Sequence, residues 1–111
     1  MPDMVEMAVH CQLSRGGFSS QRVFRVKTAD NQTIAGVADL DYCYAEDTTP
    51  LDADQPPEGK RVAGLVAARI VAEEDKDKVL ISVPDGKVLA VRRGQLVPRP
   101  SKVAPNVPLK S

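Results

Sequence analysis

Near the start of the chain, apolar side chains alternate with mostly polar ones, and this pattern constrains the fold more than any other feature. The apolar positions are Val5, Met7, Val9, Cys11 and Leu13. A period of two is the side-chain period of a β-strand and differs from the 3.6-residue period of a helix. The pattern predicts a half-buried strand over residues 5–14, followed by a tight reversal at Gly16 and Gly17.

Shorter stretches of the same kind follow. Further strands are predicted at residues 21–28, 32–38, 39–44, 79–83, 87–92 and 95–97. The first two form a meander with the opening strand. Pro84, Asp85 and Gly86 predict a turn between two of the later strands, because Pro presets φ and Gly accepts a positive φ. The chain has fifteen Val and no Trp, and β-branched side chains favour strands.

Residues 61–74 fit two structures. Val62, Leu65, Val66 and Ile70 have helical spacing, and the alanines among them are good helix formers. Against a helix, Gly64 lies inside the segment, and acids would stand at the helix C-terminus, where the dipole disfavours them. We favour a strand that ends in a hairpin loop; a helix would make the protein α+β instead of mainly β.

Several short strands with turns between them are typical of a small antiparallel barrel or curled sheet. We therefore expect one mainly β domain over residues 1–97. Residues 78–97 resemble the closing strands of SH3-like barrels in their order of strand, Pro-Asp-Gly turn, strand, tight turn and short last strand. The resemblance implies a small barrel; such barrels bind peptides or nucleic acids or serve structural roles, so it implies no single activity.

Two segments of opposite charge belong to this domain. Residues 46–59 are predicted to form a long, acidic, Pro-rich surface loop, and residues 98–111 a basic, Pro-rich tail. Residues 28–59 hold eight acids and no Lys or Arg, whereas residues 86–111 hold six bases and no acid, so a net charge of zero conceals a separation of charge. Either the two segments are solvated or attract each other, or each recruits a partner of opposite sign, including a second copy.

This separation defines two candidate surfaces. The basic candidates for partner binding are Arg22, Arg25, Lys27, Arg92, Arg93, Arg99 and Lys102. The acidic candidates are Asp39, Asp41, Glu46, Asp47, Asp52 and Asp54. Lys and Arg suit the phosphates of nucleic acid, but the aromatic side chains on which bases stack are scarce.

The sequence indicates no metal site and no cofactor. His10 is the only histidine, and it adjoins Cys11, so on a strand the two side chains point to opposite faces and cannot share one metal ion. Two cysteines are too few for a disulfide scaffold, which favours a reducing cytoplasm, although a pair between Cys11 and Cys43 stays open. No apolar run approaches the roughly eighteen residues of a membrane helix, so no membrane partner is expected.

The leading functional hypothesis is a non-enzymatic binding or assembly module for a protein partner, with a homodimer as one form. The first strand would supply an open edge for pairing, and residues 105–108 have the spacing of a polyproline ligand. The first alternative is nucleic-acid binding through the basic residues. The second is a small enzyme with a pocket built from Asp41, Tyr42, Tyr44 and Glu46, although no catalytic motif is present.

Overall fold

A computed structural model describes residues 6–99 as a curled antiparallel sheet that forms half of a barrel. Its strands are β1 (Glu6–Arg15), β2 (Gln21–Lys27), β3 (Thr33–Asp39), β4 (Cys43–Ala45), β5 (Val62–Glu73), β6 (Lys78–Ser82), β7 (Val88–Arg92) and β8 (Leu96–Pro98). Two single-turn 3-10 helices lie at Leu40–Tyr42 and Arg93–Gln95. Within this part of the chain, no helix has the length and apolarity needed to cross a membrane. The predicted mainly β class is confirmed.

The sheet runs in the order β3-β2-β1-β5-β6-β7, and two short strands attach beside it, β4 on β5 and β8 on β1. The predicted three-stranded meander of β1, β2 and β3 is present. The prediction that β1 is an edge strand is wrong. It pairs with β5 on one side and with β2 and β8 on the other, so hydrogen-bonded strands flank it on both sides.

Residues 62–73 form a strand, and burial of five consecutive residues, 64–68, explains why the sequence was ambiguous. Val66 faces the main core, whereas Leu65 faces a second, small core with Ala8 and Tyr44. Apolar residues are therefore consecutive here, as in any strand covered on both sides, and they mimic helical spacing. Gly64 has a packing reason, because a Cβ there would lie 2.6 Å from Cδ1 of Leu13.

The strand predicted over residues 39–44 is wrong in its first half. Leu40–Tyr42 is a 3-10 helix, and only Cys43–Ala45 is extended. The helix redirects the chain from β3 towards β5, on which β4 then pairs. The backbone N–H of Leu40 donates to the carbonyl oxygen of Ser20 at 2.7 Å, which ties this reversal to the loop between β1 and β2.

The main core lies inside the curl of the sheet and is aliphatic apart from one aromatic ring. Its fully buried members are Val9, Leu13, Phe24, Val26, Cys43, Val66, Val79, Ile81 and Val91. Burial of each large side chain contributes about 1.5–3 kcal/mol. Two residues of the long loop, Leu51 and Pro56, are also buried, so residues 46–59 are packed onto the domain rather than merely solvated.

Candidate binding surfaces

Arg22 is fully buried and binds backbone carbonyls instead of a partner. It stands on the same face of β2 as Phe24 and Val26, which are also buried. Its guanidinium donates to four carbonyl oxygens, those of Gln55 and Ala53 at 2.8 Å each, Ser19 at 2.9 Å and Gln21 at 2.7 Å. The prediction that Arg22 belongs to a basic binding surface is therefore wrong. The period-two pattern that placed Phe24 and Val26 inside already placed Arg22 with them.

Arg15 acts on the same loop from the preceding strand. Its Nε donates to the carbonyl oxygen of Pro56 at 2.7 Å, and its Nη2 to that of Asp54 at 2.9 Å. Desolvation lowers the pKa of Arg22, and the positive charge of Arg15 lowers it further. A guanidinium remains protonated in spite of such a shift. Two cations thus hold the loop through its carbonyls, and not through its carboxylates.

The acidic candidates consequently face solvent. Asp39, Asp41, Glu46, Asp47, Asp52 and Asp54 are all exposed. Ala38, the residue before Asp39, is paired with Arg22. The guanidinium of Arg22 donates to the carbonyl oxygen of Ala53, which lies between Asp52 and Asp54 in the chain. At least these three carboxylates therefore lie at one end of the sheet. Asp47 accepts hydrogen bonds from the side chain and backbone of Thr49, which lower its pKa.

A polar notch opens where β1 changes partners. On one side, β1 pairs with β8 through residues 7–9 and with β2 through residues 12–15, which leaves His10 and Cys11 between the two neighbours. The notch has a volume of about 380 Å3. It is lined by His10, Cys11, Gln12, Arg25, Lys27, Thr33 and Gln95. Nε2 of Gln95 donates to the carbonyl oxygen of Lys27 at 2.8 Å, which ties the Arg93–Gln95 helix to β2 beside the notch.

A second opening lies where β5 changes partners on its other side. Its pairing with β4 ends at Val66 and its pairing with β6 begins at Arg69. The groove of about 200 Å3 beside this break is lined by Tyr42, Ala67, Ala68, Arg69, Ser82, Val83, Pro84 and Arg99. Nε of Arg99 donates to the hydroxyl of Tyr44 at 2.9 Å, and the guanidinium lies 5.5 Å from the Tyr42 ring centroid. Arg99 therefore covers the hydroxyl end of Tyr44, which belongs to the small second core.

The remaining basic candidates are spread over the molecule. Arg92 forms an ion pair with Asp77 at 2.9 Å, and Arg93 forms one with Glu73 at 3.0 Å, both beside the β5–β6 hairpin. Lys102 lies outside the described residues, as do residues 105–108. Of the basic set, Arg25 and Lys27 lie together in the notch.

The residues of the enzymatic alternative are likewise separate. Tyr44 is fully buried, whereas Tyr42 is 40% exposed and lines the groove beside Arg99. Asp41 lines a different concavity with Ser20 and Asp39, and Glu46 is exposed on the loop. No three His, Cys, Asp or Glu side chains converge as metal ligands anywhere between residues 6 and 99.

The two cysteines are buried free thiols. Cys11 pairs with Gly64 on one side of β5, and Cys43 pairs with Val66 on its other side, so a strand runs between them. Desolvation raises the pKa of Cys11, and the neighbouring Cys43 raises it further. Such a thiol stays protonated and inert at neutral pH.

Comparison with family models, with curated proteins and with solved structures finds no match to this chain. Function is therefore inferred from the sheet topology and from the surfaces described above.

Proposed function

We propose that this protein is a non-enzymatic binding module built on an SH3-like open barrel, and that it binds a protein partner, a second copy of itself, by strand addition at β3. The observation that carries the proposal is the state of that strand. Within residues 6–99, β2 is the only strand that pairs with β3, so the outer side of β3 presents a ladder of backbone donors and acceptors.

The exposed side chains of β3 lie on its outer face, whereas Asp85 packs against the other face at Gly36. Thr33, Ala35 and Val37 are exposed, and Val37 is a large apolar residue at 43% exposure. Natural edge strands are usually blocked by Lys, Pro or a bulge, and β3 contains neither Lys nor Pro. The other edge, β7, is partly engaged, because the N–H of Ala29 donates to the carbonyl oxygen of Ala90 at 2.9 Å. We therefore place the contact at β3 and not at β7.

The closing strands support the SH3-like assignment. β6, the turn at Pro84 to Gly86, β7, the Arg93–Gln95 helix and β8 follow one another in the predicted order. β8 then returns to pair with the first half of β1, which curls the sheet. The separate positions of the two tyrosines and of Asp41 and Glu46 favour binding over catalysis. The buried free thiols fit a reducing compartment such as the cytoplasm.

Light scattering coupled to size exclusion tests the proposal directly. A dimer has about twice the 12.0 kDa mass of the chain, and dilution should return it to the monomer. Val37→Lys puts a charge on the edge and should give a monomer at all concentrations. Val71→Lys is the matched control, because Val71 is also exposed but lies on β5. A monomeric wild type, or equal effects of the two substitutions, would contradict pairing through β3.

A further inference from the structure

We propose that the notch between β2 and β8 is a binding site for a phosphate group. This site shares Thr33 with β3, but it lies between β2 and β8 and does not depend on dimer formation. It follows from the fold, because the notch exists where β1 exchanges one neighbour for another at His10 and Cys11. Cations and neutral donors line the opening, and no Asp or Glu does.

Two cations enter the notch from one face of β2. Arg25 and Lys27 are two residues apart on a strand, so their side chains emerge on the same side with their Cα atoms about 7 Å apart. Like charges at this spacing repel each other, and an anion between them would relieve that repulsion. Nη1 of Arg25 donates to Oγ of Ser14 at 3.0 Å, which fixes one end of the guanidinium on β1, on the side away from His10.

Neither cation has an acidic cross-strand neighbour. Arg25 is paired with Gln12 on β1 and with Ala35 on β3, and Lys27 is paired with Thr33. The contrast is with Lys87, Arg92 and Arg93, each of which has a carboxylate oxygen within 3.0 Å. The positive charge of the notch is therefore available for an external anion, whereas the charge of those three side chains is already engaged.

The lining suits phosphate in particular. Arg supplies a planar fork of donors and Lys a compact point charge, the combination that proteins use for phosphate oxygens. Gln12, Thr33 and Gln95 add neutral polar groups around them. No Phe, Tyr or Trp ring lines the notch, and His10 supplies its one aromatic ring, so the notch has no platform for stacking several bases. The ligand is thus recognised through its phosphate, either as a phosphomonoester or as the phosphodiester backbone of a nucleic acid.

The test is titration of the labelled full chain, followed by NMR, with four probes. Adenosine monophosphate represents the monoester, a short single-stranded DNA the diester backbone, adenosine the base and sugar without phosphate, and a peptide of residues 46–59 an acidic protein segment. Binding should shift the backbone signals of His10 to Gln12 and of Arg25 to Lys27. Response to both phosphate probes, or to one of them, supports the site and identifies the source of the phosphate.

Substitutions then distinguish this site from general charge attraction. For the DNA probe, two contacts predict a slope of log affinity against log salt of about −1.4, and Arg25→Gln or Lys27→Gln should reduce its magnitude by about 0.7. Arg25→Lys should retain the slope, because it keeps the charge. Lys76→Gln removes the same charge from the β5–β6 hairpin, away from the notch lining, and should leave the slope unchanged.

Several outcomes would overturn the proposal. Equal chemical-shift changes with adenosine would do so, as would binding of the acidic peptide but of neither phosphate probe. Absence of binding by all four probes, or the same loss of slope in Lys76→Gln as in Arg25→Gln, would also overturn it. Unchanged chemical shifts of core residues such as Val66 show that each variant is folded. Light scattering of Arg25→Gln distinguishes failure of this proposal from failure of the β3 proposal, because the variant should have the same molecular mass in solution as the wild type.

Discussion

Arg22 donates from Nη2 to the carbonyl oxygen of Ala53, 31 residues further along the chain, at 2.8 Å. This bond joins the second strand of the meander to the acidic loop, and the other donors of the same guanidinium reach the carbonyls of Gln55, Ser19 and Gln21. A fully buried cation thus stabilises a loop whose own charges face solvent. The acidic surface is held in place from beneath by positive charge.

Arg22→Met should destabilise the fold, because it removes the donor of four partly buried hydrogen bonds to backbone carbonyls. Since water can reach these partly buried carbonyls and replace some of the lost donors, we expect a loss of about 1–3 kcal/mol in the free energy of unfolding. Urea denaturation measures it. Arg92→Met is the control, since its ion pair with Asp77 is exposed and contributes about 0–1 kcal/mol. Equal losses in the two variants would show that the carbonyl contacts of Arg22 contribute little.

Gly36→Ala should destabilise the domain by about 1–3 kcal/mol through overpacking. A Cβ at Gly36 would lie 2.5 Å from Cζ of Phe24 and would also meet the carboxylate of Asp85. Gly17→Ala makes the same chemical change in the β1–β2 loop, where no atom lies within 4 Å of the added Cβ, so its effect should stay within about 0.5 kcal/mol. Thermal unfolding of both variants measures the stability that each substitution removes. A tolerated Gly36→Ala would mean that the turn at Asp85 is not packed on β3.

Burial of Cys11 should make the stability depend on pH in alkaline solution. The pKa of this thiol is raised in the folded state, whereas in the unfolded chain it is about 8.5. Above that pH the unfolded state loses a proton that the folded state keeps, so stability falls as pH rises, by about 1.4 kcal/mol per pH unit. Urea denaturation between neutral and alkaline pH measures the slope.

Cys11→Ala should lose that part of the pH dependence while it lowers stability at neutral pH. The same burial predicts that a disulfide-exchange thiol reagent labels neither Cys11 nor Cys43 until the protein unfolds. A wild-type slope that the substitution leaves unchanged would indicate that other groups cause the alkaline loss. Rapid labelling of the native protein would contradict the burial itself.

Much of the strand architecture was predictable, because the period of a β-strand is local. Residues 21–28 and 32–38 alternate, and the structure has strands close to those bounds at Gln21–Lys27 and Thr33–Asp39. Strand β5 was harder to predict because both of its faces are buried, and the second core that covers Leu65 is built from Ala8, Tyr44 and Val97. No window of sequence around Leu65 contains those neighbours.

The candidate surfaces were predictable only as composition. Charge along the chain correctly marked the acidic residues as solvent-facing, but it grouped Arg22, Arg25 and Arg92 as one kind of residue. In the structure they lie in the interior, in the notch and beside Asp77, respectively. The alternation of Arg22 with Phe24 and Val26 was a usable signal for the first of these. Nothing local could have shown that β1 changes partners beside Arg25 and Lys27.

Alternation along the chain was enough to establish a mainly β domain, because residues two positions apart on a strand lie on the same face of the sheet. The strand order, the central place of β1 and the two openings in the sheet arose only on folding. They depend on hydrogen bonds between segments as far apart as Met7 and Pro98. Backbone groups that form such bonds are the same in every residue, so their pairing is selected by the packing of the whole domain.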